Sequence, residues 1–471
     1  MKMEHPLFLQ PMLLRPATPV QRVGNAMQRH RRVIVGIQWA VVTFYLALVT
    51  IPAFLPLPGT GASVLNNLTL LAQFMFWGIW WPFVIISTLT LGRVWCGVFC
   101  PEGSLTELAS RHGLGRPVPR WLKWGGWPFA AFVITTAYGQ LVSVYEYPKA
   151  VLLVLGGSTV AAVAIGLIYG KGKRVWCRHL CPVSGVFALL ARLAPVHFRV
   201  DRERWDAATT THPAPVDCAP LLDMRRMKGG SQCHMCGRCS GHRDAVALIS
   251  RLPGTEVVNL KPAEANAWEA RLLVFGIIGT AVGAFQWSSS PWFVAIKTGV
   301  AEWLIDRNAF GLLQDNAPWW LLTHYPEAND VLTWLDGLGI IAYIGITALI
   351  LGGWITLWLR LAGALLPGGA KQNARWLAYA LIPLGGLGVF LGLSSLTVTL
   401  LKAEGVIMPW LPEARGVLLS LAALWSLWLG VRMLRGQSPA LNRTAQILAL
   451  LCLAASISGI VLPWITLFYW W

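Results

Sequence analysis

Residues 93–101 read Arg-Val-Trp-Cys-Gly-Val-Phe-Cys-Pro, and residues 174–182 read Arg-Val-Trp-Cys-Arg-His-Leu-Cys-Pro. Each copy closes a long apolar run, and the second copy begins 81 positions after the first. Four thiols, Cys96, Cys100, Cys177 and Cys181, therefore stand at the ends of two apolar hairpins with matched spacing. A third group, Cys218 with Cys233, Cys236 and Cys239, follows within the next polar stretch. Thiolates in such numbers select iron–sulfur clusters, zinc or Cu(I). The ninth cysteine, Cys452, stands alone in an apolar run and reads as packing.

Outward from these motifs, the chain of 471 residues is 55% hydrophobic and 13% charged, too apolar for an ordinary soluble protein. Runs of about 20 apolar residues, the length that crosses the hydrocarbon core, recur at Val33–Leu55, Leu68–Leu91, Trp124–Val144, Ala150–Tyr169, Leu272–Trp292, Leu338–Trp358, Trp376–Leu401, Val417–Leu434 and Thr444–Phe468. The expected fold is an all-α integral membrane protein of about nine transmembrane helices with a small cytoplasmic ferredoxin-like segment. Its blocks are a cytoplasmic or interfacial tail (1–32), a four-helix membrane unit with both Cys-x-x-x-Cys-Pro motifs (33–195), a polar segment (196–268), and a five-helix membrane domain (269–471). An aromatic outside loop, 293–330, interrupts the last block, and its Trp303, Phe310, Trp319 and Trp320 suggest an interfacial helix.

Lys and Arg set the orientation. Gly92–Lys123 carries Arg93, Arg111, Arg116, Arg120 and Lys123, whereas Pro56–Asn67 carries neither Lys nor Arg. With the N-terminus in the cytoplasm every inside loop is basic, all eight motif cysteines are cytoplasmic and the C-terminus is periplasmic, in a bacterial inner membrane. Cytosolic thiols are kept reduced, which argues against disulfides. The net charge of +17 is explained by topology and anionic lipid, and no basic stripe with interleaved aromatics calls for nucleic acid. The segment His5–Arg32 lacks the apolar core of a signal peptide and is expected to lie along the membrane surface.

Cys233-x-x-Cys236-x-x-Cys239 repeats the first three ligand spacings of a bacterial ferredoxin loop, and Cys-x-x-x-Cys-Pro repeats the end of one. Arg243 and Asp244 stand where the fourth cysteine and its proline would come, which makes Cys218 the nearest candidate for the missing ligand. A zinc ribbon and a redox switch are the alternatives for this group. In the membrane motifs a helix would put Cys96 and Cys100 on one face, with Pro101 limiting its extension. Arg93 and Arg174 precede their cysteines by three residues, where a cation favours a reduced cluster. His179 and His234 lie inside the motifs and read as hydrogen-bond donors or surface residues rather than ligands. Near membrane depth, Asp336 and Glu146 with Lys149 read as hydrated helix ends, and Gly386-x-Gly388 reads as close helix packing.

The doubled Arg-x-x-Cys-x-x-x-Cys-Pro followed by a cysteine-rich cytoplasmic segment resembles the NapH/NosR/CcoG family of membrane-bound polyferredoxins, over about residues 30–250. The resemblance implies one or two [4Fe–4S] clusters and an electron-transfer function, with another redox protein as partner and quinone as a further candidate cofactor. Electrons would pass between the quinone pool or a cytosolic donor and a respiratory or photosynthetic partner. The alternative is a copper reductase or assembly factor for a cofactor-containing oxidase or reductase. Family members carry two complete four-cysteine loops where this chain has one incomplete loop, and its five C-terminal helices lie outside the shared core.

Overall fold

The computed structural model describes residues 18–59, 61–208, 216–220, 222–436 and 442–471. Residues 1–17, and with them the first part of the expected N-terminal tail, lie outside the described residues. Among the described residues eight helices are long and apolar enough to cross a membrane: Arg31–Phe54, Leu68–Leu91, Pro148–Tyr169, Ala267–Ser289, Trp334–Ala364, Ala370–Ala403, Leu411–Arg435 and Arg443–Trp470. The expected span at Trp124–Val144 is a shorter helix, Trp127–Leu141, of 15 residues. Its rise of about 22 Å falls short of a core of about 30 Å, but turns extend it at both ends. At one end Trp124 meets Trp268 with ring centroids 4.9 Å apart, and at the other Trp287 Nε1 donates to Gln140 Oε1 over 2.8 Å. Trp268 and Trp287 lie near opposite ends of Ala267–Ser289, so the short helix runs the full depth beside a long one. Beside the eight long helices it is counted as the third of nine crossings among the described residues.

The most buried of the long helices is Ala267–Ser289, and Ala370–Ala403 packs against it with Trp376, Leu377, Tyr379, Leu381 and Leu391 fully buried. Without a hydrophobic force between helices in lipid, close approach depends on small residues. A side chain at Gly386 would meet Leu190 at 2.7 Å and one at Gly388 would meet Trp464 at 3.0 Å, so the Gly-x-Gly stretch is a packing face as expected. The charged groups at the far end are structural. Thr333 and Asp336 cap Trp334–Ala364 reciprocally, Lys297 donates to Asp336 over 2.8 Å, and Tyr147 donates to Asp330 while stacking on Tyr325. The helix expected in loop 293–330 is Pro291–Asp306, with Trp292, Ile296 and Trp303 exposed.

All three cysteine groups gather at one end of the bundle. There Val196–Val200 pairs antiparallel with Val246–Ser250, Phe198 opposite Leu248, over a core that includes Met224, Cys233, Met235 and Cys239. The helix Pro19–Arg29 does not lie alone on the membrane surface. It packs on this hairpin because Gly24 leaves room for Leu248, 2.8 Å from where a Cβ would stand, and Ser240 bonds Asn25 over 2.9 Å.

Candidate metal centre

The crossing Leu68–Leu91 stops at Gly92, whose φ of +67° suits glycine and turns the chain toward the cysteine motif. A wide turn, Trp95–Phe99, follows, and Cys100 is extended at φ −72°, ψ 116°. Cys96 and Cys100 thus do not sit on one regular helix. Pro101, expected to limit a helix, begins one: it occupies the first turn of Pro101–Arg111, where a missing N–H costs nothing. Cys100 caps that helix, its Sγ accepting from Gly103 N at 3.4 Å, and the positive end of the helix dipole favours its thiolate.

The second motif is built differently, from the short helix Val175–His179 and a turn leading to Ser184–Leu190. It reaches the first because Pro101–Arg111 packs closely along Pro148–Tyr169, with Gly166 against the Thr106 carbonyl. Cys96 and Cys177 are buried, and Cys100 and Cys181 are partly buried. Their charges act on one another. Burial raises the Cys100 thiol well above its ordinary value, and the charges of Cys177 and Cys96 raise it further. Burial pushes Cys177 up to about 12, opposed by Arg174 and reinforced by Cys96. Cys181 is raised by burial, then by Glu102, Cys177, Cys100 and Cys96.

The charges of the remaining four also act on one another. Burial raises Cys218, with Cys236 adding and Lys173 opposing. Burial, then Cys236, pushes Cys233 up to about 12, and Cys239 is raised by burial and by Cys233, Cys236 and Cys218. Met235 and Gly237 take left-handed conformations, φ 54° and 73°, that curl the loop back on itself, and Cys233 Sγ accepts from Met235 N at 3.4 Å. Cys218 is held in place by Lys173 Nζ, which donates to its carbonyl over 3.0 Å, and by Arg174 N, which donates to Ala219 O over 2.9 Å.

The two sets touch through backbone. A Cβ at Gly97, the residue after Cys96, would overlap the His234 carbonyl oxygen and lie 2.8 Å from Cys236 N. Gln38, buried in the first crossing, donates to Gly97 O over 2.9 Å. Two arginines lie across the junction. Arg93, 4% exposed, donates to Ser231 O and to Ser184 Oγ, and Ser184 Oγ in turn donates to Cys177 O. Arg174, 1% exposed, donates to Cys96 O over 2.6 Å and faces both Cys177 and Cys236.

Sequence reasoning missed the carboxylate that balances them. Glu107 accepts from Arg174 over 2.8 Å and from Arg238 over 2.6 Å, joining the helix after the first motif to the loop of the second set. Burial alone would raise its carboxyl, but Arg174 and Arg238 hold it below the ordinary range. Its only signal in sequence was an acid between Arg93 and Arg111. His179 is partly buried and His234 is buried, and burial, followed by neighbouring arginines, lowers both.

The donor set fits iron–sulfur clusters. Each set offers four thiols, none in a disulfide, with backbone N–H groups on sulfur. Among the described residues Arg93 has no carboxylate partner although it is buried; an unpaired buried cation is costly, and thiolates holding a cluster would supply the missing negative charge. Among the same residues no three Cys, His, Asp or Glu side chains converge on a single ion. A cubane takes its thiolates at separate corners and needs them wider apart than one ion does.

A family model described as a 4Fe–4S binding domain matches residues 73–123 and 154–201, the two stretches that hold the doubled motif. YccM of Escherichia coli strain K12, named for electron transport, is 26% identical over 237 residues, covering 44% of this chain and 65% of YccM. The methylamine utilization ferredoxin-type protein MauN of Paracoccus denitrificans strain Pd 1222 is 28% identical over 164 residues, 31% of this chain and 56% of MauN. The matched region is thus less than two thirds of either relative. No solved structure matches the chain.

Proposed function

We propose that this polyferredoxin-like 4Fe–4S membrane protein passes electrons between the quinone pool of the bilayer and a soluble redox partner, through two [4Fe–4S] clusters. Cys96, Cys100, Cys177 and Cys181 would hold one, and Cys218, Cys233, Cys236 and Cys239 the other. Each cluster supplies a one-electron carrier. The observation that carries the reading is the contact of Gly97 with His234 and Cys236, which leaves only a strand of backbone between the two thiol sets. Arg93 and Arg174 hold that junction, exclude water from it and offset thiolate charge. The Lys and Arg bias toward this end of the bundle supports its lying in the cytoplasm, with the C-terminus periplasmic.

The test uses purified protein in lipid nanodiscs, reduced with dithionite and freed of excess reductant. Addition of a short-chain quinone is expected to bleach the reduced-cluster signal in electron paramagnetic resonance. A signal that persists contradicts quinone as the membrane-side carrier.

Arg93→Gln is expected to make the reduction potential of at least one cluster more negative, because a cation beside thiolates stabilises the more negative, reduced form. At an effective dielectric near 20 the loss is about 1.5 kcal/mol, equivalent to ~60 mV for a one-electron couple. Arg93→Lys restores most of the shift in a redox titration. Equal potentials for all three proteins would remove Arg93 from this role.

A further inference from the structure

Beside the cysteine sets, among residues of the third and fifth crossings, the protein forms a partly open cavity of about 250 Å³. Of the eight motif cysteines only Cys177 lines it, so it is not the space between four thiols. One wall is apolar and aromatic, with Phe129 from the third crossing and Trp268 and Leu272 from the fifth. The polar lining includes Arg93, Arg178, His179, Gln232, His234 and Glu269. His234 is 3% exposed and its Nδ1 has no hydrogen-bond partner; Arg93 is 4% exposed and its Nε has none either. Buried polar atoms left unpaired cost about 1–3 kcal/mol each, and two belonging to lining residues of one cavity suit a ligand that carries oxygens.

The apolar and polar linings together select the ligand. A small anion would satisfy Arg93 and leave the aromatic wall without a partner. An acyl chain would cover Phe129 and Trp268 and leave the polar atoms unpaired. A flat ring with oxygen substituents satisfies both, and an attached apolar tail can run between the third and fifth crossings into lipid. The walls are also built close: a side chain at Gly185 would meet Leu272 at 2.5 Å and Pro128 at 2.8 Å, so glycine is what lets Ser184–Leu190 seat against both crossings. We infer that this cavity binds the head group of a lipid-soluble quinone, its ring on Phe129 and Trp268 and an oxygen toward Arg93 and His234. The inference rests on the electron-transfer reading above and gives that reading its membrane-side site.

The test is photolabelling of the iron-loaded protein in nanodiscs with a short-chain azidoquinone, followed by peptide mapping. Label is expected in residues 125–129 and 266–272, and excess unlabelled quinone displaces it. Ala188→Phe, which fills the cavity from the short helix, is expected to cut labelling about tenfold with iron content unchanged. Leu272→Trp fills it from the opposite wall and serves if the first variant loses iron. Label elsewhere, or label that excess quinone does not displace, overturns the site. If quinone still oxidises the reduced clusters while the cavity stays unlabelled, the cavity assignment falls and the electron-transfer reading stands. If quinone neither labels the cavity nor oxidises the clusters, both fall.

Discussion

Gly97→Ala is expected to separate the two cysteine sets while leaving each able to hold iron. The added Cβ would overlap the His234 carbonyl and stand 2.8 Å from Cys236 N and 3.0 Å from Cys236 Cα. All three are backbone atoms of a loop already fixed by the left-handed residues Met235 and Gly237, so no flexible side chain can give way. Overpacking of this kind costs about 1–3 kcal/mol, which lowers the docked population by roughly 5- to 150-fold. Iron content should stay near wild type, while the magnetic coupling between the two reduced clusters weakens. Unchanged coupling with full iron would mean that the two sites are not joined at Gly97.

Cys218→Ser is expected to cost as much iron as Cys236→Ser, about half of the total, because each removes one thiolate from the same set of four. Cys218 lies outside the Cys-x-x-Cys-x-x-Cys run, but Lys173 and Arg174 tie its backbone to the lead of the second membrane motif, and its charge raises the thiols of Cys233 and Cys239. Iron analysis and electron paramagnetic resonance of the two variants check this directly. Full occupancy in Cys218→Ser with loss in Cys236→Ser would place the fourth ligand elsewhere.

The long helices were legible in sequence because apolar length is a local signal, and ligand spacing marks the cysteines in the same local way. The crossing Trp127–Leu141 was harder to bound, since turns at Trp124 and Val142 complete its depth and carry no apolar periodicity of their own. The geometry of Cys100 was misread as helix continuation because Pro101 can end one helix or begin another, and only the capping bond from Gly103 decides between them. Glu107 and Gly97 were hidden for a different reason. Their importance lies in what reaches them from far along the chain, Arg238 in one case and the His234 carbonyl in the other. Arg93 and Arg174 were visible from their position before the cysteines, but that both reach across to the second set was not.

Two clusters on one chain are the centre of this account, and metal content measures them most directly. Iron, acid-labile sulfide, zinc and copper should be determined together on protein purified without oxygen. About eight iron and eight sulfide per chain, with neither zinc nor copper above trace, is the predicted result. About four iron per chain with all eight motif cysteines intact, or copper or zinc in stoichiometric amount, would contradict it.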